Sequence, residues 1–435
     1  MLTREFVLPF REAAPYIHTF RGKAFVIALS DDTVHNEHFR NLAQDINLLI
    51  TLGIRIVLVH GIDSQIDRLL PIHTVTPRFH HQHRITDLPL LNLIKQAIGL
   101  IRHDIEATLS MGMPNSPMHG SCLRIAGGNM LTAKPLGVLS GVDMQYTGQI
   151  RRIDTQAMTA RLDMNELVLL SPIGYSPTGE AFSLTMEEVA AATAIALKAE
   201  KLIFLTHGRG VTSLDNTHCS ILTAQQAENL LDQGYLTGES ATYLPYLIKA
   251  SREGVARTHL VSRQEEGALL TELFTNRGIG TMIARDPLVK IRKATINDIG
   301  DILALICPLE EQGILVRRSR ERLEMEVHQY SVLEHNTRIY GCIAMHPFPD
   351  AHSAELACLA IMNEQRNAGF GEMLLHHVER QARAQHLASL FVLTTQTEHW
   401  FVERGFIEAK ISDLPLSRQR LYNYQRRSKI FIKML

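Results

Sequence analysis

Residues 24–61 impose the first constraint on the fold. An apolar run, "AFVIAL", is followed by an amphipathic segment and then by a second apolar run, "IRIVLVHG". Between the runs Phe39, Leu42, Ile46, Leu49 and Ile50 recur at the spacing of one helix face. Gly53 stands where a left-handed residue ends a helix. Strand, helix and strand in that order predict parallel pairing, because the chain must cross over before the second strand can start. The pattern returns as "ELVLLSPIG", a helical segment, and "KLIFLTHG". Thr185 with Glu188 three residues on predicts a capping box at the start of that helix. Several such units before Ala284 predict a doubly wound α/β domain.

A chain of 435 residues is too long for one ordinary core. The break falls in "GIGTMIARDPLVKIRKATINDIGDILALI", where glycines and a proline punctuate the pattern. There a new strand, "LVKIRKA", leads into a helix with Ile299, Ile302, Leu303 and Ile306 on one side. The expected division is therefore residues 1–284 and a smaller α+β domain at 288–435. A formal net charge of -1 gives no basic excess for nucleic acid or an anionic membrane. No apolar run approaches the roughly 20 residues that span a bilayer. The N-terminus, "MLTREFVLPFREAAPY", carries charges and proline where a signal peptide needs an apolar stretch, so a cytoplasmic protein is expected. Five scattered cysteines without a C-x-x-C pair suit reduced thiols. The histidines of "RFHHQH" have no carboxylate or cysteine at ligand spacing; they read as a solvated loop, and no metal is expected.

In the second domain "NAGFGEMLL" (Asn367 to Leu375) follows the apolar run "ELACLAI". A strand, a glycine-bearing loop and a helix start suit a phosphate held by backbone N–H groups and the helix dipole. Leu374, Val378 and Ala382 form one stripe, so the helix packs back on the sheet. "SLFVLTT" supplies a further buried strand before "HWFVERGF".

With Arg366, Gly369 and Gly371 in an R-x-x-G-x-G arrangement, this domain resembles the GNAT acetyltransferases. The resemblance implies acetyl-coenzyme A as co-substrate, its pyrophosphate on that loop. It also implies backbone N–H groups near Leu359 and Ala360 that polarise the thioester carbonyl. Glu355 begins the same strand and is the one carboxylate close by in sequence, so it is the candidate general base. Thr394, near the end of the following strand, is a candidate for orienting the thioester or protonating sulphur.

The first domain is similar to the amino-acid kinase family, yet its first strand reads "VIALSDD". Aspartates stand where a phosphoryl-transferring relative carries lysine, which argues against kinase chemistry. The two domains in this order, with segments such as "REAAPYI", "GNMLTAKPLGV", "RRSRERLEME" and "LYNYQRRSK", resemble the family of bacterial N-acetylglutamate synthases. That resemblance implies an amino-acid-kinase-like α/β sandwich ahead of a GNAT domain, and acetyl transfer to the α-amine of L-glutamate. It places glutamate on Arg318, Arg426 and Ser428, residue types suited to bidentate carboxylate binding. It places L-arginine, as feedback inhibitor, on Lys201, Glu272 and Gly278, closed by the N-terminal helix near Tyr16. Lys201 and Glu272 also read as helix-end charges. Counting by two along "RRSKIFIKML" puts Arg426 and Ser428 on the face of Ile430 and Ile432. Relatives assemble as rings, so a homo-oligomer is expected, with a hexamer as one form. An acetyltransferase for another amine and a non-catalytic arginine sensor are the alternatives.

Overall fold

The crossover at the start of the chain forms as its pattern requires: in the computed structural model Ala24–Leu29 lies parallel to Arg55–His60, with the helix Phe39–Thr51 between them. Gly53 follows that helix at φ +87°. Two units divide the chain, Met1–Asp286 and Pro287–Leu435. The structure describes residues 2–73, 76–81, 83–112, 118–215, 217–275, 278–285, 289–335, 338–363, 369–424 and 426–435.

The first unit is built on an eight-stranded sheet. Its order is Ile221–Thr223, Thr281–Ala284, Arg257–Ser262, Lys201–Thr206, Ala24–Leu29, Arg55–His60, Leu167–Leu170 and Ile125–Ala126. Only the contact between Arg257–Ser262 and Thr281–Ala284 is antiparallel. Alternate residues of the central strands enter different cores. Val26, Ala28, Val57 and Val59 pack with Val189, Leu244 and Leu247, whereas Phe25, Ile27, Leu29, Ile56 and Leu58 pack with Ile46, Leu49 and Ile101. Both faces are thus covered, as a parallel sheet demands.

Two local expectations change. Thr185 does cap its helix by accepting from Glu188 N at 3.2 Å, but Glu188 does not reach back. Its carboxylate accepts instead from Ile150 N at 2.8 Å, tying the helix to a four-stranded second sheet. The "RFHHQH" segment is not a plain loop, since Arg78–His80 pairs antiparallel with His83–Ile85. Residue 82 lies outside the described residues. Among the described residues no group of three or more His, Cys, Asp or Glu could hold a metal ion. Among them also no helix is long and apolar enough to cross a membrane.

Past the first strand, Asp31 is only 1% exposed and accepts from Ser64 N and Gln65 N at 3.2 and 2.6 Å. These amides open the helix Asp63–Ile72, so a carboxylate of the chain itself sits where a helix N-terminus would take a phosphate. Beside it, Arg263, with a side chain 4% exposed, holds both oxygens of Glu239 at 2.8 and 2.9 Å and Asp32 at 2.7 Å. The crevice at the strand ends is filled by the chain's own charges.

The second unit is a seven-stranded sheet in the order Val289–Lys293, Tyr330–His335, Arg338–Phe348, Ser353–Ile361, Ser389–Thr394, Lys429–Met434 and Ile407–Ala409. Its one parallel contact joins Ser353–Ile361 to Ser389–Thr394. The helix Phe370–Ala384 buries Leu374, Val378 and Ala382 against one face. The helix Ile299–Glu311 covers the other with Ile302, Leu305, Ile306 and Leu309; Leu303 is only partly buried.

Replacing Asp31 with alanine strips two amides of their acceptor, so urea unfolding should show a loss of about 1–2 kcal/mol. An unchanged unfolding midpoint would remove the carboxylate's role as an internal cap.

Candidate active site

The parallel register of Ser353–Ile361 and Ser389–Thr394 ends at Leu356 opposite Val392, although both strands continue. Beyond that pair the facing strand edges share no ladder, and a cleft opens. A bulge marks the same place: Ala357 pairs with Ala344 but Ala360 with Cys342, and Cys358 takes φ +51°. The extra residue reverses the alternation. Ala354 and Leu356 pack in one core and Ala357 in the other; then Cys358 and Ala360 take the second face while Leu359 and Ile361 take the first. Leu359 and Ala360 therefore lie past the parting, on a strand edge free to meet a ligand's amides.

The glycine loop leads from this strand into the helix Phe370–Ala384, whose N-cap is Gly369 at φ +75°. A side chain on Gly371 would come within 3.2 Å of the Trp400 ring. Gly369 thus supplies a left-handed entry that a side chain strains, and Gly371 a close approach to an aromatic wall. Arg366 lies outside the described residues. A cavity of about 250 Å³, lined by Leu305, Arg338, Ile361 and Asn363 among others, lies at the C-terminal end of the parting strand. Glu355 stands at the opposite end of that strand.

Glu355 is gripped on both oxygens by Arg418, Nε to Oε2 at 2.5 Å and Nη2 to Oε1 at 3.0 Å, and both side chains are largely covered. A water or amine that gives Glu355 a proton must use the lone pairs that Arg418 leaves. Thr394 is buried, shares a 2.8 Å hydroxyl contact with Thr397, and accepts from Thr397 N at 3.1 Å. Its oxygen is thus part of the turn after the strand.

The expected carboxylate ligands come together only in part by the route expected. Lys429–Met434 is a strand, but Arg426 and Ser428 precede it and Arg427 sits at φ +49°. The left-handed residue breaks the two-residue alternation, so the face-counting argument for Arg426 fails. Arg426 is instead brought in by the carbonyls of Gly313, at 3.2 Å, and Ile314. Arg318 lies just before Ser319, which caps the helix Arg320–Glu326, and donates to Val316 O at 3.0 Å. Burial, and after it the charge of Arg318, depress the Arg426 guanidinium, whereas Arg318 is held up against its own burial by Cys358, Tyr330, Glu355 and Glu326. Among the described residues neither has a carboxylate within ion-pair distance. Ser428 is buried beside them in sequence, its carbonyl accepting from Tyr422 Oη at 2.7 Å.

The first unit carries a second cluster. Lys201 and Glu272 are not helix-end surface charges; both are buried. Lys201 Nζ donates to His259 Nε2 at 3.0 Å, and His259 Nδ1 donates to Glu272 Oε1 at 2.7 Å. The network itself assigns the imidazole tautomer. Glu272 Oε2 accepts from Ile279 N and Gly280 N at 2.8 and 2.9 Å. A side chain at Gly278 would fall 2.4 Å from that oxygen. Lys201 also lies 5.0 Å from the centroid of Phe20, whose helix Leu2–Phe20 carries Tyr16. Burial drives the Lys201 amine down to about 7, with Arg257 adding to it. Burial lowers His259 to about 4. Burial alone would raise Glu272, but the bonds from His259 and the two amides hold it at about 2.

Arg418 and His259 were not singled out from the sequence, and Trp400 only as part of "HWFVERGF" and not as a wall beside Gly371. Arg418 belongs to a basic run with no internal mark. A histidine in the apolar strand "RTHLVS" was the legible signal for His259.

A parallel α/β unit followed by a sheet that parts at a bulge defines an acetyltransferase joined to a kinase-like domain. Residues 23–262 match the amino acid kinase family and residues 298–406 the acetyltransferase (GNAT) family. Amino-acid acetyltransferases of Serratia proteamaculans (strain 568) and Yersinia pseudotuberculosis serotype O:1b (strain IP 31758) are 47% identical, over 98% of this chain and 98% of theirs. The N-acetylglutamate synthase of Neisseria gonorrhoeae complexed with coenzyme A and L-arginine superposes with a TM-score of 0.92 at 40% identity, over 99% of each chain. Its structure with coenzyme A and N-acetyl-glutamate gives a TM-score of 0.64 at 41% identity, again over 99% of each chain. The chain belongs to the amino-acid acetyltransferase family, the bacterial N-acetylglutamate synthases, and is an enzyme that uses acetyl-coenzyme A.

The buried histidines fix a pH response. His60 and His259 are each lowered from 6.5 to about 4, so between those values the unfolded chain binds more protons than the folded one. These two rings should therefore cost stability as pH drops from 6.5 to about 4, and Glu272 below its ordinary value of 4.5. Asp45, raised by burial to about 6, and Glu187, raised by burial to about 7, instead gain it as pH falls, so the histidine contribution shows only against a protein that lacks the rings. Urea midpoints of the wild type and of a His60→Asn, His259→Gln double variant, compared across that interval, check it. The wild type should lose more as pH drops, and an identical pH dependence in both proteins would contradict the burial of both rings as neutral species.

Proposed function

We propose that the chain transfers the acetyl group of acetyl-coenzyme A to the α-amine of L-glutamate, giving N-acetyl-L-glutamate and coenzyme A. The carrying observation is that Arg318 and Arg426, the first of which acts electrostatically on the second, each donate to backbone carbonyls and form no ion pair with a carboxylate among the described residues. Two guanidiniums that no carboxylate of the chain pairs directly are free to bind a dianionic ligand. Glutamate offers one carboxylate to each, and Ser428 adds a hydroxyl. The coenzyme lies along the parted strand, its thioester carbonyl at the amides of Leu359 and Ala360. Its pyrophosphate meets Arg366 and the Gly369–Gly371 turn. Glu355 takes the proton of the amine and Thr394 serves the departing thiolate.

The amine must lose a proton before its nitrogen can attack the thioester carbon. Formation of the C–N bond then breaks the C–S bond, and a second nitrogen proton ends on sulphur. In this reading the first unit is non-catalytic, because the crevice that holds phosphates in kinases contains Asp31, Asp32 and the Arg263–Glu239 pair. The Lys201–His259–Glu272 cluster, with Gly278 and Tyr16, is its L-arginine site, supported by the arginine complex of the Neisseria protein. The working form is a cytoplasmic homo-oligomer, with a hexamer as the expected assembly.

Thiol release from acetyl-coenzyme A with a panel of amino acids should occur with glutamate. Arg426→Ala should raise the glutamate KM about tenfold or more, with little change for acetyl-coenzyme A. Equal effects on both substrates would reject the assignment of Arg426.

Arginine titrated against initial rate should inhibit, and Glu272→Gln should blunt the response; a flat curve to millimolar arginine would reject the regulatory reading. Light scattering on the same sample should return about six times the 48.9 kDa chain mass.

A further inference from the structure

His346 lies directly opposite Glu355 across the antiparallel pair Arg338–Phe348 and Ser353–Ile361. Directly opposed residues on one sheet face have Cβ atoms about 4.5–5.5 Å apart. Both side chains are half-buried. Arg418 occupies both oxygens of Glu355 and gives the carboxylate a defined direction. The charges that face the imidazole come from three further places: Arg318 before the helix Arg320–Glu326, and Arg322 and Glu326 on that helix. Burial is the largest influence and lowers the imidazole below its ordinary value. Glu355 and Glu326 pull it back up, while Arg318 and Arg322 press it down. The ring is thus neutral near pH 7, with a nitrogen able to accept a proton.

We propose that His346 is the proton relay of the acetyl-transfer site: it receives, through Glu355, the proton that the acceptor amine gives up, and releases it to solvent. The inference rests on the glutamate acetyltransferase reading above. Glutamate arrives as an ammonium. Its first proton passes to a free lone pair of Glu355 and on, through a bridging water because the two opposed side chains form no direct hydrogen bond, to His346, which becomes imidazolium. The amine nitrogen bonds to the thioester carbon, the C–S bond breaks, and the second nitrogen proton ends on the thiolate. One proton leaves per turnover, and it leaves from His346. A clamped carboxylate alone has its best lone pairs occupied; a neutral imidazole beside it supplies the missing acceptor. His346 is a positioning residue that acts through Glu355, and its signature is the acid limb of the pH–rate profile.

The test is kcat against pH, from about 5.5 to 9, for the full-length enzyme with glutamate and acetyl-coenzyme A. His346→Asn and His346→Gln should lower kcat about 10–100-fold near neutral pH and abolish the acid limb, with both KM values within about threefold. Two variants on the neighbouring helix leave the ring intact. Glu326→Gln removes a charge that pulls the ring up, so the limb should move down by a few tenths of a pH unit. Arg322→Gln removes one that presses it down, so the limb should move up by a similar amount. An acid limb that stays in place in all four proteins overturns the relay, even if kcat falls. Should the His346 variants fail to fold, the opposite shifts of the two helix variants decide alone. Absence of thiol release with glutamate at every pH would instead overturn the underlying reading, and the relay with it.

Discussion

The parting of two parallel strands organises the second unit. Parallel strands normally satisfy each other's backbone groups along their whole length. Here Ser353–Ile361 and Ser389–Thr394 do so only as far as Leu356 and Val392. The left-handed Cys358 turns the strand so that the faces exchange partners. What would be a ladder becomes a row of main-chain groups facing a cleft. Those groups need an amide-bearing ligand, and the helix entered through Gly369 lies at the far end, ready for phosphate. The pantetheine and pyrophosphate of coenzyme A have that sequence of chemistries.

Charge sorts the remaining roles. Arg418 is paired within the chain with Glu355, whereas among the described residues neither Arg318 nor Arg426 forms an ion pair with a carboxylate. In the proposed reading the first arginine positions the carboxylate that takes the amine's proton, and the other two bind the substrate's carboxylates. The first unit treats the crevice at its strand ends in the opposite way. Asp31 occupies a helix N-terminus that would hold phosphate, and Arg263 is consumed by Glu239 and Asp32. One ligand pocket has been closed by internal ion pairs while the other keeps its cations unpaired.

Much of this was legible in the sequence, for reasons that differ by element. The crossover of residues 24–61 could be read because buried parallel strands and an amphipathic helix have distinct periods. Gly369 and Gly371 stood out because glycine at a strand-to-helix turn has few uses. The route by which the sequence offered Arg426 does not hold: counting by two assumed an unbroken strand, and the left-handed Arg427 lies inside the count. The Glu188 carboxylate fitted a capping box locally but is drawn to Ile150 N by tertiary packing. Arg418 was invisible because its partner is 63 residues away and its neighbours are equally basic. His346 was invisible because only the register across two strands shows that it faces Glu355.

Amide hydrogen exchange of the intact protein, with and without coenzyme A, tests the central claim most directly. Binding should protect the amides of residues 357–361 and 369–374, where a cofactor would complete the interrupted ladder and cap the helix. Exchange at those two segments that is indifferent to saturating coenzyme A would contradict the account, because no thioester could then be held by the parted strand.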